Sequence, residues 1–415
     1  MLFIDVGIVA GSSLANKSTE EKMTKETKHA IKINESFFMR LYKQTGDMMS
    51  TQHCTHLEIC NGCHYGKTVY QQQIMLKKQT LIDNLSTFKS PINQIPDIIL
   101  KSSGSQFLRE RFDFTIENNQ MGLYTKDRKL VDIKECLQLT SDLQKAFDDL
   151  KKVQFPIKKG SARLRVSPKG ISNLKGIWLD FANLDIKNLL DDGKTFSQLI
   201  DLNFEVEIGQ KGKSLIKTNA GFKLTEPKPN FWFQTKKFKL LSLISSFTQP
   251  SSLTADLITE TILEWLPDNV LTMAEFGSGI GQFTLPLLAK DLSVDVYESS
   301  ELACQLLKSN AEFNKLDQKL TVYNDNFQIK TLSGNKNYDA ILLNPPRSGL
   351  KKFADEIIKL SSINLIYVSC FPESLVTDLK KLITAGYQIK KITLVDQFPQ
   401  TKHFETCVLL ERINF

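Results

Sequence analysis

Two residues near the carboxyl end of the chain have the side chains that a nucleophile and a base would need. Cys370 follows an apolar run, residues 365–368 of "LIYVSCFPES", which has the pattern of a short buried strand and is broken by Pro372. Glu405 lies in the later stretch "VDQFPQTKHFETCVLL". A thiol at a strand end is either an inert core group or a nucleophile, and residue type alone leaves both interpretations open.

A thiol and a carboxylate beside a methyl donor would suit methylation of carbon 5 of a uracil ring. Carbon 5 is a poor nucleophile, but a thiolate that adds to carbon 6 turns the ring into an enolate whose carbon 5 attacks the methyl group. A base must then remove the carbon 5 proton so that the thiolate can leave. We predict Cys370 as the nucleophile and Glu405 as the base, and we predict that Cys304 and Cys407 are inert.

A glycine-rich turn lies between a predicted strand and a predicted helix in "MAEFGSGIGQFTLPLLAK". Its spacing, E-x-G-x-G-x-G, starts at Glu275 and includes Gly277. Glycines there let the backbone turn sharply and let a ligand approach closely. The next strand ends at Glu298, whose carboxylate could accept hydrogen bonds from two ribose hydroxyls. The spacing favours S-adenosylmethionine over NAD, and a plain tight turn with a solvated Glu298 is the alternative.

A third ligand candidate follows the strand in "YDAILLNPPRSGL". Two prolines after Asn344 stiffen the turn and would hold this side chain at the carboxyl edge of a sheet, where ligands bind in open α/β folds. Enzymes that methylate the amino group of a base usually have an aromatic residue after such prolines. Arg347 in that place argues against amino-group methylation and favours a phosphate or base-edge contact. A plain rigid loop is the alternative.

The elements that would position these residues predict an α/β chain. After a helix within "SSLTADLITETILEWLPDNV", strands and helices alternate to the end, which predicts a doubly wound, Rossmann-like class I methyltransferase domain over residues 236–415. Short alternating runs separated by Gly, Asn and Asp predict a β-rich, antiparallel middle domain over residues 105–235. Residues 51–104 form a small cysteine-cluster region, and residues 1–50 read as a polar tail.

The cysteine cluster has ligand chemistry of its own. Cys54, Cys60 and Cys63 are spaced C-x5-C-x2-C, and Cys136 is the next cysteine along the chain. Four thiolates could hold zinc or a [4Fe–4S] cluster, and the ligand types leave both open. Three histidines keep zinc in consideration: His53, His56 and His64. Reduced free cysteines are the alternative.

Composition sets wider limits. The 415 residues suffice for two or three domains, and 41% hydrophobic with 24% charged residues is ordinary for a globular protein. The sequence contains no apolar run of about 18 residues, so no transmembrane helix is predicted. The start lacks the positively charged segment of a secretory signal. We therefore predict a cytoplasmic protein with no membrane partner and no obligate protein partner. The net charge of +7 permits an RNA partner without requiring one.

Basic residues interleaved with phenylalanines in the middle domain suit RNA contacts, and a solvated sheet face is the alternative. They are Arg109, Arg111, Lys151, Lys152, Lys158, Lys159, Arg163 and Arg165.

Three motifs in order, "NPPRSGL", "YVSCFPESLVTDL" and "DQFPQTKHFET", resemble the RNA 5-methyluridine (uracil-C5) methyltransferases of the TrmA and RumA (RlmD) kind, from about Phe231 to the end. The resemblance implies that Cys370 is the nucleophile and Glu405 the base. It also implies contacts with S-adenosylmethionine, and Asn344 could equally contact the target uracil. The implied S-adenosylmethionine contacts are Gln234, Gly277, Gln282, Glu298, Asn326 and Asn344.

The cysteine pattern resembles the iron–sulfur branch of that family, whose members have a distant fourth cysteine. The resemblance therefore favours a [4Fe–4S] cluster over zinc at Cys54, Cys60, Cys63 and Cys136. A structural or RNA-facing role is expected for the cluster, because methyl transfer moves no electrons. The same branch makes ribosomal RNA the favoured substrate and transfer RNA the runner-up.

Several positions depart from the family pattern. Most members have Asn where Phe371, Lys236 and Gln282 stand, and many have Asp where Asn344 stands. The small β-barrel called TRAM, with which many relatives begin, is not recognisable in residues 1–50. These departures motivate an alternative, a catalytically inactive iron–sulfur RNA-binding protein. A cytosine-5 methyltransferase would also need a cysteine, but Glu405 and the N-P-P-R turn favour uridine.

Overall fold

Two eight-stranded sheets organise the chain, as a computed structural model shows for residues 54–88, 95–210, 212–325 and 337–413. These residues belong to one compact unit. The predicted polar tail, residues 1–50, lies outside the described residues.

The bounds of the elements are as follows. The strands are β1 (Ile98–Ser102), β2 (Arg111–Glu117), β3 (Gln120–Tyr124), β4 (Leu130–Asp132), β5 (Lys159–Val166), β6 (Lys175–Asp180), β7 (Phe204–Ile208), β8 (Lys213–Thr218), β9 (Gly221–Thr225), β10 (Asn230–Thr235), β11 (Phe238–Ser242), β12 (Thr272–Phe276), β13 (Ser293–Glu298), β14 (Leu320–Asn324), β15 (Ala340–Leu343), β16 (Asn364–Ser369), β17 (Tyr387–Asp396) and β18 (Glu405–Arg412). The helices are α1 (Tyr70–Leu85), α2 (Ser141–Leu150), α3 (Asn183–Asp192), α4 (Lys194–Asp201), α5 (Ser252–Trp265), α6 (Thr284–Leu288), α7 (Glu301–Phe313), α8 (Phe353–Leu360) and α9 (Pro372–Thr384).

The C-terminal sheet has the order β1-β17-β18-β16-β15-β12-β13-β14. All neighbours are parallel except β18, which runs antiparallel to both β16 and β17. Its central strands are covered on both faces, since β15 is buried at every residue and β16 at nearly every one. Two-sided burial explains why these strands read as continuous apolar runs rather than alternating ones. The predicted doubly wound α/β fold is confirmed.

The helix predicted before the first of the alternating strands is also confirmed. Ser251 is its N-cap, with its hydroxyl accepting a hydrogen bond from the backbone N–H of Thr254. Ile258, Ile262 and Trp265 are buried and pack in the core between α5 and the C-terminal sheet. This packing fixes α5 against the face of the sheet opposite to α8 and α9.

Two elements from the amino-terminal side join the C-terminal sheet, which the sequence did not predict. β1 is its edge strand and pairs in parallel with β17. α1 packs on the same face as α8 and α9, with Leu81 and Leu85 in their core. The reason is local: the buried face of α1 includes the polar residues Gln73 and Lys77, and β1 is only five residues long, so neither has a strong periodic signal.

The middle sheet has the order β4-β3-β2-β5-β6-β7-β8-β9. The expectation of a purely antiparallel sheet is wrong at one pair, because β6 and β7 are parallel. The chain between them contains α3 and α4, and a helical crossover of this kind is what a parallel connection requires. The core of this sheet includes Phe112 and Phe114, each packed edge-to-face on Phe147 of α2. The domain boundaries themselves stay a prediction.

Three of the arginines predicted to contact RNA hold the chain between β11 and α5 instead. Arg165 is 2% exposed and donates to the carbonyl of Leu243 at 2.9 Å. Arg163 donates to the carbonyl of Ser245 at 2.7 Å, and Arg111 donates to the carbonyl of Thr248 at 2.7 Å. The RNA prediction is therefore wrong for Arg165, whose side chain serves to join the middle sheet to the segment that enters α5. Lys152, Lys158 and Lys159 are exposed.

None of the helices in the described part of the chain is long and apolar enough to cross a membrane.

Candidate active site

Four neighbouring strands of the C-terminal sheet end at the same edge. In the order β16-β15-β12-β13 they are parallel, so their carboxyl ends lie side by side. Cys370 follows β16, Asn344 follows β15, Gly277 follows β12, and Glu298 ends β13. This edge is where open α/β sheets bind ligands, and four predicted site residues come together there.

Glu405 reaches the same edge because β18 runs in the opposite direction and begins where the others end. Ser369 of β16 pairs with Thr406 of β18. In an antiparallel pair the next residue on one strand faces the preceding residue on the other, so Cys370 and Glu405 continue this register on one face. The two residues, 35 positions apart in sequence, are thus cross-strand neighbours.

Burial and charge shape the ionisation of this pair. Glu405 is 4% exposed, and burial raises the pKa of its carboxyl to about 8, with the positive charge of Arg347 as an opposing influence. Burial also raises the pKa of the Cys370 thiol above its ordinary value, and the charge of Glu405 raises it further. The charge of Arg347 and its hydrogen bond to the thiol lower that pKa. Burial therefore disfavours two negative charges on Cys370 and Glu405 together, and the positive charge of Arg347 stabilises the one that forms.

The loop that leads into Glu405 is held by α1 through buried polar contacts. Lys77 and Asp396 are fully buried and form an ion pair at 2.6 Å. The Lys77 ammonium also donates to the carbonyl of Phe398 at 2.9 Å, and the Tyr70 hydroxyl donates to Asp396 at 2.7 Å. A buried ion pair with further hydrogen bonds gives the loop one defined conformation, so α1 supports the position of Glu405.

The cysteine segment contacts the same loop. The backbone N–H of Tyr65 donates to the carbonyl of Gln400 at 2.8 Å. The side-chain amide of Gln73 donates to the carbonyls of Tyr65 and Thr68 and to the side-chain oxygen of Gln400. Residues near the predicted metal ligands are therefore part of the support of the loop before Glu405.

The glycine turn has the open backbone that a ligand would need. Gly277 and Gly279 have φ of 83° and 57°, a region that non-glycine residues rarely adopt. No described atom lies within 4 Å of the position that a Cβ at Gly279 would take, so the turn faces open space. The backbone N–H of Gly279 donates to Glu298 at 3.0 Å, which brings the acidic strand end against the turn.

Two buried polar atoms beside the turn have no protein partner. Among the described residues, neither Oε1 of Glu275 nor Nε2 of Gln282 has a hydrogen-bond partner. The other oxygen of Glu275 accepts from the Thr284 hydroxyl at 2.6 Å. Burial raises the pKa of Glu275 to about 7, although the Thr284 hydrogen bond opposes the shift. Buried polar groups are nearly always paired in native proteins, so these atoms fit a polar ligand at the turn.

The remaining predicted ligand contacts differ in placement. The side-chain amide of Asn344 donates to the carbonyl of Gly277 at 3.2 Å, which joins the third motif to the glycine turn. Gln234 lies in the β10–β11 hairpin, and its amide donates to the carbonyl of Lys236 at 2.8 Å. Asn326 lies outside the described residues.

Gln249 is a buried polar residue that the sequence analysis missed. Its side-chain oxygen accepts a hydrogen bond from the amide of Gln397 at 2.7 Å, within the loop that leads into Glu405. The sequence feature that could have identified Gln249 is its position two residues before the N-cap of α5, in "FTQPSS". The contact links the start of α5 to the loop before Glu405.

The four predicted metal ligands lie in one neighbourhood. Burial raises the pKa of the Cys63 thiol to about 12, and the charges of Cys136, Cys60 and Cys54 add to the shift. The charge of Arg109 lowers the pKa of Cys63, and it also opposes the burial-raised pKa of Cys136. Within residues 54–88, 95–210, 212–325 and 337–413, however, no group of three or more His, Cys, Asp or Glu side chains converges closely enough to hold a metal ion. The predicted metal site is therefore not confirmed.

Comparisons with known proteins relate the chain to RNA methyltransferases. A family model described as tRNA (Uracil-5-)-methyltransferase matches residues 228–413. An uncharacterized RNA methyltransferase of Bdellovibrio bacteriovorus is 36% identical, across 89% of this chain and 97% of the relative. The 23S rRNA (uracil(1939)-C(5))-methyltransferase RlmD of a Marinomonas species is 24% identical, across 86% of this chain and 80% of the relative.

A solved structure shares the fold. The tRNA (uracil-54, C5)-methyltransferase of Pyrococcus abyssi, in complex with S-adenosyl-L-homocysteine, matches with a TM-score of 0.63 at 20% identity. The match covers 85% of this chain and 86% of that one. The likeness therefore extends beyond the C-terminal sheet to most of the chain.

Proposed function

Since the chain belongs to the RNA (uracil-5-)-methyltransferase family, we propose that it transfers a methyl group from S-adenosylmethionine to carbon 5 of a uridine in structured RNA. The proposed route passes through a covalent bond between Cys370 and carbon 6 of the uracil. The observation that carries the proposal is the pairing of Ser369 with Thr406, which places Cys370 and Glu405 within electrostatic reach at the sheet edge that also bears the glycine turn.

Three side chains divide the work in this mechanism. The guanidinium of Arg347 favours the thiolate form of Cys370. The thiolate adds to carbon 6, and the electron pair of the carbon 5–carbon 6 double bond shifts toward the carbon 4 oxygen. Carbon 5 would then take the methyl group as its bond to the sulfonium sulfur of S-adenosylmethionine breaks, leaving S-adenosylhomocysteine. The Glu405 carboxylate removes the carbon 5 proton, the double bond re-forms, and the bond between sulfur and carbon 6 breaks.

The residues around the glycine turn fit S-adenosylmethionine, which would supply an electrophilic methyl group when bound. Glu298 offers a carboxylate to the ribose hydroxyls. The unpartnered atoms of Glu275 and Gln282 offer an acceptor and a donor to the polar end of the ligand. Gly277 and Asn344 border the same space, and a contact from Gln234 stays a prediction.

Ribosomal RNA is the proposed substrate, and transfer RNA is the runner-up. The support is that curated relatives acting on 23S rRNA align with 86% to 99% of this chain. The direct test is to map 5-methyluridine by mass spectrometry in ribosomal and transfer RNA from cells with and without the gene. We expect one ribosomal site to disappear with the gene. Loss of a transfer RNA site instead would make transfer RNA the substrate.

The mapping needs a second arm, because another enzyme could modify the same site. The purified protein is therefore given S-adenosylmethionine and unmodified transcripts of both RNA classes. No 5-methyluridine in either transcript, together with an unchanged map in cells, would leave an RNA-binding protein without this activity.

We also propose that Cys54, Cys60, Cys63 and Cys136 hold a [4Fe–4S] cluster. The support is that the charges of Cys54, Cys60 and Cys136 raise the pKa of Cys63, and those of Cys54 and Cys60 raise the pKa of Cys136, so the four thiols lie within electrostatic reach. Four thiolates are the ligand set of such clusters. When bound, the cluster would cross-link the cysteine segment to the middle sheet, and no step of methyl transfer is assigned to it.

Metal analysis of anaerobically purified protein tests this proposal. We expect about four iron atoms and as much acid-labile sulfide per chain, with a broad visible charge-transfer absorption. Cys63→Ser should lose the absorption, whereas Cys304→Ser, which removes a buried thiol from α7, should keep it. One zinc ion per chain would instead support the alternative metal, and a metal-free protein would contradict both.

A further inference from the structure

The ring of Phe371 is an exposed aromatic group directly beside the proposed nucleophile. Phe371 is 38% exposed and lies between strand β16 and helix α9. Phe371 is the N-cap residue of α9, and Pro372 is the first helical residue. Part of the surface of Phe371 is therefore open to a partner beside the sheet edge at which open α/β folds bind ligands.

The backbone of Phe371 is held in place. Its N–H donates to the Ser369 hydroxyl at 3.2 Å. Its carbonyl accepts hydrogen bonds from the hydroxyls of Ser369 and Ser374, at 3.2 and 3.1 Å, and from the N–H of Leu375 at 3.2 Å. A ring on such a fixed support loses little conformational entropy when it binds a partner.

Helix capping makes the choice of Phe at this position costly. An N-cap residue with a side-chain oxygen, such as Asn or Ser, accepts a hydrogen bond from the first helical turn and stabilises the helix. Phe has no such atom, and α9 has no side-chain cap at Phe371. The side chain supplies no cap and stays partly exposed, which leaves the ring available to a partner outside the chain.

The surroundings of Phe371 carry positive charge. Arg347 and Lys402 are exposed. Arg347 hydrogen-bonds to the thiol of Cys370, the residue before Phe371, and both cations act electrostatically on His403. An aromatic ring with cations around it is the combination by which proteins bind unpaired nucleotides.

We propose that the ring of Phe371 stacks on the nucleobase next to the target uridine in the RNA. The inference rests on the proposed function and deepens it, because it assigns a recognition contact to the same site. A uridine whose carbon 6 reaches Cys370 must leave the base stack, which exposes one face of the neighbouring base. Phe371 directly follows Cys370 and is partly exposed, so its ring is within reach of a base next to a uridine bound at Cys370.

Substitutions at Phe371 separate stacking from structure. Leu removes the π face with little change in volume, Tyr keeps it, and Asn supplies a helix cap. RNA affinity is measured by fluorescence anisotropy on labelled ribosomal and transfer RNA transcripts, and KM and kcat on the transcript that is methylated. We expect Phe371→Leu and Phe371→Asn to weaken binding and raise KM by roughly tenfold with kcat little changed, and Phe371→Tyr to retain wild-type values.

Thermal unfolding gives the second readout. A structural ring would lose stability on replacement by Asn, whereas an RNA-contacting ring predicts that Phe371→Asn keeps or raises the melting temperature while losing RNA affinity. In a further arm, the base on either side of the uridine in the better-bound transcript is removed to leave an abasic site. On one of these two RNAs the loss caused by Phe371→Leu should vanish, as a double-mutant cycle requires.

The inference is overturned if Phe371→Leu binds RNA as the wild type does, if the loss is the same on both abasic RNAs, or if the wild type binds neither transcript. Its failure differs from that of the proposed function. Wild-type protein that binds RNA through Phe371 but makes no 5-methyluridine would refute the proposed reaction and keep the stacking contact. Methylation that is unchanged by substitution of Phe371 would refute the stacking contact and keep the proposed reaction.

Discussion

Replacement of Cys370 by Ala is expected to lower the rate of methyl transfer to RNA by on the order of 10⁴-fold or more. Without the thiolate, no group adds to carbon 6, and carbon 5 of the uracil stays a poor nucleophile. The residue is only partly exposed and lies at a strand end, so RNA affinity and the melting temperature should change little. The measurement is single-turnover transfer of labelled methyl groups from S-adenosylmethionine to an unmodified transcript.

Cys407→Ala is the matched control for this substitution. Cys407 is fully buried in β18, opposite Val368 and Thr393, and packs in the core between α5 and the C-terminal sheet. We expect it to keep methyl transfer and to lose a little stability, as small core truncations do. A Cys370→Ala protein that still methylates RNA at the wild-type rate would refute the covalent mechanism.

Replacement of Glu405 by Gln is expected to stop the reaction after the methyl group has been added. Gln has nearly the same shape but cannot accept the carbon 5 proton, so the bond between Cys370 and carbon 6 cannot break. We expect turnover to fall by about 10²- to 10⁴-fold and a covalent complex of protein and methylated RNA to accumulate. The complex is detected on a denaturing gel after incubation with S-adenosylmethionine.

Two further variants make the result specific. The double variant Cys370→Ala with Glu405→Gln should form no covalent complex, because it lacks the linking sulfur. Glu411→Gln changes a partly exposed carboxylate of the same strand, paired with Lys390 at 3.6 Å, and should turn over normally. Absence of the complex in Glu405→Gln alone, with turnover preserved, would show that another group removes the proton.

The raised pKa of Glu405 also predicts the pH dependence. Its carboxyl titrates at about 8 instead of the ordinary 4.5, so at lower pH it is mostly protonated and cannot act as a base. Removal of the carbon 5 proton, followed as tritium release from labelled uridine, should therefore increase with pH up to about 8 and fall off below it. A rate that stays constant as the pH falls toward 4.5 would contradict this assignment.

The raised pKa of Glu405 also affects the stability of the native state, which should decrease as the pH rises. A carboxyl whose pKa is raised by folding stabilises the native state only while it is protonated. Its contribution is complete below about pH 4.5 and is lost as the pH rises through about 8. Glu405→Gln stays neutral throughout, so its melting temperature should exceed that of the wild type above pH 8 and match it near pH 4.5.

The sequence alone determined the class of the fold and the chemistry of the site residues. Apolar runs such as β15 and β16 and the helix α5 are local patterns, and burial in a doubly wound sheet requires just these patterns. A thiol at the end of a predicted strand and a carboxylate beside a later one indicated nucleophile and base, because those roles depend on functional groups. The motif order then indicated the family.

The tertiary structure decided which residues are neighbours. The register of β16 and β18 brings Cys370 and Glu405 together, and no local pattern specifies a pairing over that separation. Packing also buried Arg165 against the chain after β11, where composition had suggested an RNA contact. It placed the helix α1 against the loop before Glu405 through Lys77 and Asp396. Burial and long-range contact arise only when the whole chain packs, and these two factors set the pKa values and the geometry of the site.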